Sequence, residues 1–242
     1  MERDASQGCP ACETTGTTRG RAGGSHVPSA TVTTPEDLPV LRALHSTPSR
    51  RYLSPDPVPD DVLDAILDAA VRGPSGGNRQ RWGWVVVRDP ATKAQIAAWY
   101  REGWRAAYGD RRDAVLGAAT THAGVSEAGF RAVEHLALHL EEAPVWVVPV
   151  LRDAARSADP RLGASIYGAV QNLVLAARAY GIGTTLTTFH TVREADVAAL
   201  LGLPDDALTM GLLPLGYPTR GRWSEPRRRP LAEVVHRDRW HG

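Results

Sequence analysis

The stretch Gly73-Pro-Ser-Gly-Gly-Asn-Arg-Gln-Arg-Trp82 concentrates more binding chemistry than any other part of this 242-residue chain. Pro74 stiffens a turn, and Gly76 and Gly77 let backbone come close to a flat ligand. Asn78 can donate and accept at once, which suits the edge of a heterocycle such as a flavin ring. A plain connection between a helix and a strand would use the same residues. Ser46-Thr-Pro-Ser-Arg-Arg-Tyr52 sets hydroxyls beside the guanidinium groups of Arg50 and Arg51. Arginine holds phosphate through two parallel hydrogen bonds, although a solvated basic turn has the same composition. Gly181-Ile-Gly-Thr-Thr-Leu-Thr-Thr188 is no GxGxxG loop, because it lacks a third glycine and enters a strand rather than leaving one. Thr187 and Thr188 can turn hydroxyls or amides toward a ligand, or serve as ordinary strand formers. Arg227-Arg-Arg-Pro-Leu231 is a solvated charge run, or an arm able to close over a phosphate.

Sets for nucleophilic and hydrolytic chemistry are absent. There is no GxSxG, no HExxH, no P-loop lysine and no cysteine beyond residue 12. His135 and His139 stand four apart near Glu134, Glu141 and Glu142. That spacing is open to a metal and, more commonly, to exposed or satisfied histidines, so no metal site is assigned. Cys9-Pro-Ala-Cys12 has no second pair to complete a zinc site and reads as incidental. A chain without its own nucleophile or acid–base pair leaves the chemistry to a cofactor. Twenty-eight basic against 27 acidic residues give a net charge of +1, which disfavours a nucleic-acid binder driven by bulk charge. No apolar run of about 18 residues could span a membrane. The N-terminus lacks the apolar stretch of a secretory signal, and cysteines confined to the tail suit a cytoplasmic protein.

Residues 1–36 are rich in Gly, Thr and Ser and poor in large apolar groups, so the expectation is a disordered tail. Residues 37–242 read as one domain, with a basic, proline-containing arm over 217–242. Leu41 to Leu44 begin a short helix. Asp60-Asp61 cap a helix whose apolar residues Val62, Leu63, Ile66, Leu67 and Ala70 recur at helical spacing. Trp82 to Val87 and Val145 to Leu151 are nearly continuous apolar runs, as buried strands are. Ala91 to Ala107 is helical, 109–142 is a polar, alanine-rich helical stretch, and Leu162 to Tyr180 is one long helix ending at Gly181. Thr184 to Thr188 and Thr209 to Leu215 complete the strands, with a helix over Val192 to Leu201 between them. Strands separated by helices indicate a three-layer domain of the α/β or α+β class.

Together these segments resemble the nitroreductase family of FMN-dependent flavoproteins. The resemblance rests on Ser49 to Pro59, Ala69 to Gln80, Ala143-Pro144 opening a strand, Ala169 to Gly183, Leu215-Gly-Tyr-Pro218 and Arg229 to His236, in that order and spacing. It implies an α+β fold, with a mixed central sheet flanked by helices, in an intertwined homodimer with two FMN sites. It places Arg50, with Arg51 beside it, at the N-terminal FMN motif. Pro74, Ser75 and Asn78 fall on the flavin-contacting loop, Thr187 and Thr188 beside the ring, and Arg228 in the arm that reaches the phosphate. The family motif opens with arginines where this chain has Ser46 and Thr47, has a small polar residue where Pro48 stands, and usually has proline after Gln80, where Arg81 stands. The implied activity is hydride transfer from NADH or NADPH through flavin N5 to a nitroaromatic, quinone or similar acceptor. Other flavin reactions of the family, dehalogenation and flavin fragmentation, and a low-turnover flavin carrier or sensor are the alternatives. Residues 99–142 are the expected lid and substrate wall, with Trp99, Tyr100, Trp104 and Tyr108 as stacking surfaces or core.

Overall fold

The computed structural model describes residues 34–109, 112–114, 126–155, 157 and 159–241. Cys9-Pro-Ala-Cys12, nearly all of the expected tail and much of the expected lid lie outside them. The described elements are helices α1 (Val40–His45), α2 (Asp60–Ala70), α3 (Pro90–Tyr108), α4 (Glu127–His139), α5 (Tyr167–Ala179) and α6 (Glu194–Leu200). The strands are β1 (Trp82–Val87), β2 (Val145–Leu151), β3 (Gly183–Thr184), β4 (Leu208–Thr209) and β5 (Leu213–Gly216).

The sheet runs β1-β2-β5-β3, with β4 also on β2, and every ladder among the described strands is antiparallel. β2 is buried along its whole length. Trp146, Val148 and Val150 face a core shared with α3, α4 and α6. Val145, Val147 and Leu151 face a second core against α2 and α5. That two-sided burial explains why β2 reads as one apolar run instead of alternating. The result is three layers: helices, sheet, helices.

Local chemistry sets the ends of the elements. Asp89 Oδ2 accepts from the Thr92 amide and hydroxyl, both at 2.7 Å, with Pro90 starting α3. These bonds hold the Asp89 carboxyl below its usual range. Ser126 Oγ caps α4 by accepting from the Gly129 amide at 3.1 Å. Gly181 adopts φ +70°, and the Ile182 amide reaches back to the Ala177 carbonyl at 2.8 Å, closing α5 as its sequence predicts.

Four expectations need correction. Asp60 and Asp61 do not cap α2: Pro59 precedes the helix, no side chain bonds its end, and the two carboxylates lie in its first turn, where they complement the dipole. The segment Leu162 to Tyr180 is not one helix, because a 3-10 turn over Pro160–Ser165 and a break at Ile166 precede α5. The third strand is only Gly183–Thr184, followed by an isolated Thr187–Leu212 bridge. The fourth strand divides into β4 and β5 around Gly211 at φ +144°, opposite Pro149, which has no N–H to give to a ladder.

Candidate active site

At one end of β2, where Trp82 pairs with Leu151, lies the glycine loop. Its bonds are local. The Asn78 amide donates to the Ser75 carbonyl at 2.9 Å, and the Gln80 amide to Ser75 Oγ at 3.0 Å. Gly77, Asn78 and Gln80 all have positive φ, between 48° and 58°. Asn tolerates that conformation through its short polar side chain, whereas Gln80 holds it at a steric cost. Gln80 Nε2 donates to Asn78 Oδ1 at 3.1 Å. The paired amides therefore leave Asn78 Nδ2 as a donor and Gln80 Oε1 as an acceptor, side by side on an exposed edge. Gly73 seats this loop: a Cβ there would lie 2.6 Å from the Ala169 backbone of α5.

At the other end of β2, where Leu215 links Val145 to Thr184, lies Arg50, whose amide donates to the Thr184 carbonyl at 2.9 Å; Arg51 follows it, and Thr187, bridged to Leu212, and Thr188 lie on the same outer side of β5, level with the middle of β2. Arg50 is 8% exposed. Its guanidinium donates to the carbonyls of Arg220, Gly221 at 3.0 Å and Arg222 at 2.9 Å, and it lies over the Trp223 ring at 5.0 Å. Burial, and then Arg178, lower its pKa. Arg178 lies over the same ring at 4.4 Å and donates to Glu36 Oε2 at 2.9 Å. Arg50 is thus committed to the root of the C-terminal arm. Arg51 is half-buried beside Tyr100, its pKa lowered by burial, and it has no hydrogen bond or ion pair among the described residues.

The two threonines separate. The Thr187 amide and carbonyl both pair with Leu212, and its hydroxyl shares a 2.7 Å hydrogen bond with the Tyr100 hydroxyl. The Thr188 side chain is exposed. The hydroxyls of Thr184 and Thr185 and Nε of Arg50 are buried without partners among the described residues. Tyr100 is 1% exposed, and burial pushes its phenol up to about 12. Tyr100 and Trp104 are core, with Trp99 and Tyr108 packed partly buried against them; the wall role expected for these four gives way to packing.

Arg228 is exposed and sits with Leu44, His45, Glu225 and Pro226 around a cavity of about 180 Å³. The hydroxyls of Ser46 and Thr47 donate back to the carbonyls of Arg42 and Ala43 at the end of α1, at 2.7 and 2.6 Å. His135 and His139 stack at 4.4 Å, and His135 stacks on Tyr52 at 4.2 Å.

One chain therefore brings Arg50, Arg51, Thr187 and Thr188 to the β3 side of the sheet, and holds Pro74, Ser75 and Asn78 beside β1 on the opposite side. Two strands, β2 and β5, stand between β1 and β3, so the two edges are about 14 Å apart, and both faces between them are packed with core. Sequence reading missed Arg178 and Trp223. The signal for Arg178 was a lone cation beside Ala177 on the apolar stripe of α5. Trp223, a tryptophan inside a basic arm, gave none. It also missed that Glu36, placed in the tail by composition, binds the body through its amide to the Ala179 carbonyl at 2.7 Å as well as through Arg178.

The model of the nitroreductase family matches residues 45–217. The chain is 34% identical over 218 residues to an NADH dehydrogenase of Thermus thermophilus, spanning 82% of this chain and 97% of that protein. It is 25% identical to iodotyrosine deiodinase 1 of Homo sapiens, spanning 87% of this chain and 74% of that one. The fold matches the crystal structure of an FMN- and NADPH-dependent nitroreductase from Sphigopyxis sp. strain HMH with a TM-score of 0.63, covering 84% of this chain and 100% of that chain at 24% identity.

Proposed function

The chain belongs to the nitroreductase family, and on that premise we propose that it is an FMN-dependent oxidoreductase that moves electrons from NADH or NADPH to a small organic acceptor, such as a nitroaromatic or a quinone. The observation that carries this reading is the Asn78–Gln80 amide pair on its exposed glycine loop. It offers a donor beside an acceptor, as the pyrimidine edge of a flavin requires. When bound, FMN supplies the redox chemistry, taking a hydride at N5 and returning electrons to the acceptor.

The protein's own part is binding and orientation. Ser75 and Asn78 hold the ring edge, and Pro74 fixes the turn that presents them. The exposed hydroxyl of Thr188 faces the ring from the other side of the site. Thr187 is held by Tyr100 and Leu212 and contributes its fixed backbone. Arg51, a cation without a partner among the described residues, and Arg228 on the arm take the phosphate, which at neutral pH needs paired donors. Arg50 acts one step back, by fixing the arm root that carries Arg228 toward the site.

Because the loop and the strand residues of one chain lie at opposite edges of a covered sheet, a site that uses both is built from two copies of the chain. The loop of one subunit meets the strand and arm of its partner. The exposed Leu231, Val234, Val235 and Trp240 of the arm supply apolar surface for that homodimer. Reductive dehalogenation is the second reading, favoured by the likeness to iodotyrosine deiodinase 1. The test is the absorption spectrum of the purified protein, followed by anaerobic titration with NADH and with NADPH, then addition of a quinone, a nitroaromatic or a halotyrosine. A yellow protein bleached by a nicotinamide and restored by quinone is expected. A colourless protein that binds no added FMN at micromolar concentration contradicts the proposal.

A further inference from the structure

Between the glycine loop and the end of β2 is a cavity of about 230 Å³. Its floor is apolar, made by Leu151 and Leu162, and its charged lining is entirely basic: Arg79, Arg81 and Arg152, with no carboxylate among the lining residues. Two of these cations are neutralised from outside the cavity. Arg81 pairs with Asp153, and Arg152 grips Asp206 with two hydrogen bonds at 2.7 and 3.0 Å. The Arg79 side chain has no hydrogen bond or ion pair among the described residues. Opposite it, Ser165 Oγ accepts the Gly76 amide at 3.3 Å, and its own hydrogen has no acceptor among the described residues. The cavity thus combines an apolar floor of single-ring size, one uncompensated guanidinium and one idle hydroxyl donor.

We propose that this cavity takes the acid end of the electron acceptor, and that the acceptor is a monocyclic organic anion whose carboxylate pairs with Arg79 while its ring rests on Leu151 and Leu162. An apolar pocket with a few placed polar groups is how proteins orient such ligands, and guanidinium meets carboxylate through a planar fork. The inference rests on the flavoenzyme reading for the reaction, but its binding half stands on the cavity alone.

The test uses the purified protein as isolated and its Arg79→Gln variant. The probes are 4-nitrobenzoate and its neutral counterpart 4-nitrobenzamide, with dissociation constants from calorimetry and KM from NAD(P)H oxidation. Arg79→Gln is expected to raise both Kd and KM for 4-nitrobenzoate about tenfold and to leave 4-nitrobenzamide and the FMN content unchanged. Equal losses for the two probes, no loss for either, or a rise confined to the KM for NADPH would overturn it. If the flavoenzyme reading itself failed, turnover would be absent with both probes, while the difference in Kd would still decide the anion site.

Discussion

The two ends of β2 hold their residues by opposite means. The loop end is made mostly of bonds between residues at most five apart in sequence, with the Gly76 amide to Ser165 Oγ as a longer tie, and residues Gly76 to Arg81 are exposed. The arm-root end is made of contacts spanning more than half the chain: Arg50 to residues 220–222 and Arg178 to Glu36. The first is a place for a ligand, because its polar groups still lack partners. The second is mainly a place for structure, because its strongest cation is already surrounded. A basic residue in a binding motif need not therefore be the one that meets the ligand, and on the proposed reading Arg51 rather than Arg50 meets the phosphate.

Substitutions at the arm-root end should cost the most stability. Arg50→Ala leaves three carbonyls without their donor and strips one cation from Trp223. Breaking a buried charged network costs on the order of 3 kcal/mol or more. The melting temperature should fall by several degrees, FMN and riboflavin should be lost alike, and Arg50→Lys should not rescue, since one ammonium cannot reproduce the planar fork. Selective loss of FMN would return Arg50 to the phosphate.

Next comes a pH effect beside β4, where Thr209 pairs with Val150 of β2. His190 is fully buried and its pKa is lowered by burial from 6.5 to about 4. The Thr209 hydroxyl donates to Glu194 Oε2 at 2.7 Å, so it accepts from His190 Nε2 at 2.9 Å, and Nδ1 is left bare and unpartnered. The folded state holds this histidine neutral, whereas the unfolded state protonates it. Stability is therefore complete above about pH 6.5 and is lost as pH falls toward 4, by up to about 3 kcal/mol. Urea melts at pH 7.5 and 4.5 should show that loss, and His190→Gln should flatten it.

The loop end should respond in the reverse way. Asn78→Gly keeps the positive φ and removes the amide. We expect about a tenfold loss of FMN affinity with the melting temperature of the FMN-free protein unchanged. A melting temperature that falls with the affinity would erase the contrast between the two ends. The smallest effect belongs to Arg228→Ala on the exposed arm, a few-fold loss for FMN with none for riboflavin, screened by salt.

What the sequence disclosed follows from the same contrast. The glycine loop, the Gly181 helix stop, β1 and β2 were legible because their signals are local: turn residues, one positive φ, apolar runs. Asp60-Asp61 misled because a carboxylate in the first turn and one at the cap look alike in sequence, and Pro59 decides between them. The break at Ile166 was hidden by an apolar run that a 3-10 turn continues without interruption. The commitment of Arg50 was invisible because its partners are backbone carbonyls 170 residues away, and carbonyls carry no sequence signature. The separation of Thr187 from Thr188 depended on Tyr100, which reads from sequence equally as wall or as core.

On the proposed reading, one site is assembled from the loop of one subunit and the strand and arm of the other. Mixed dimers test it most directly. Asn78→Gly and Arg51→Ala chains, each impaired as homodimers, are co-refolded in equal amounts, and tightly bound FMN is counted by its absorbance after gel filtration. A shared site predicts that each mixed dimer regains one intact site, so the mixture recovers about a quarter of the wild-type FMN and of the NAD(P)H oxidation. If every site belonged to a single chain, each chain would still carry its own lesion. The mixture would then bind no more FMN than the average of its two parents, and that result would contradict the account.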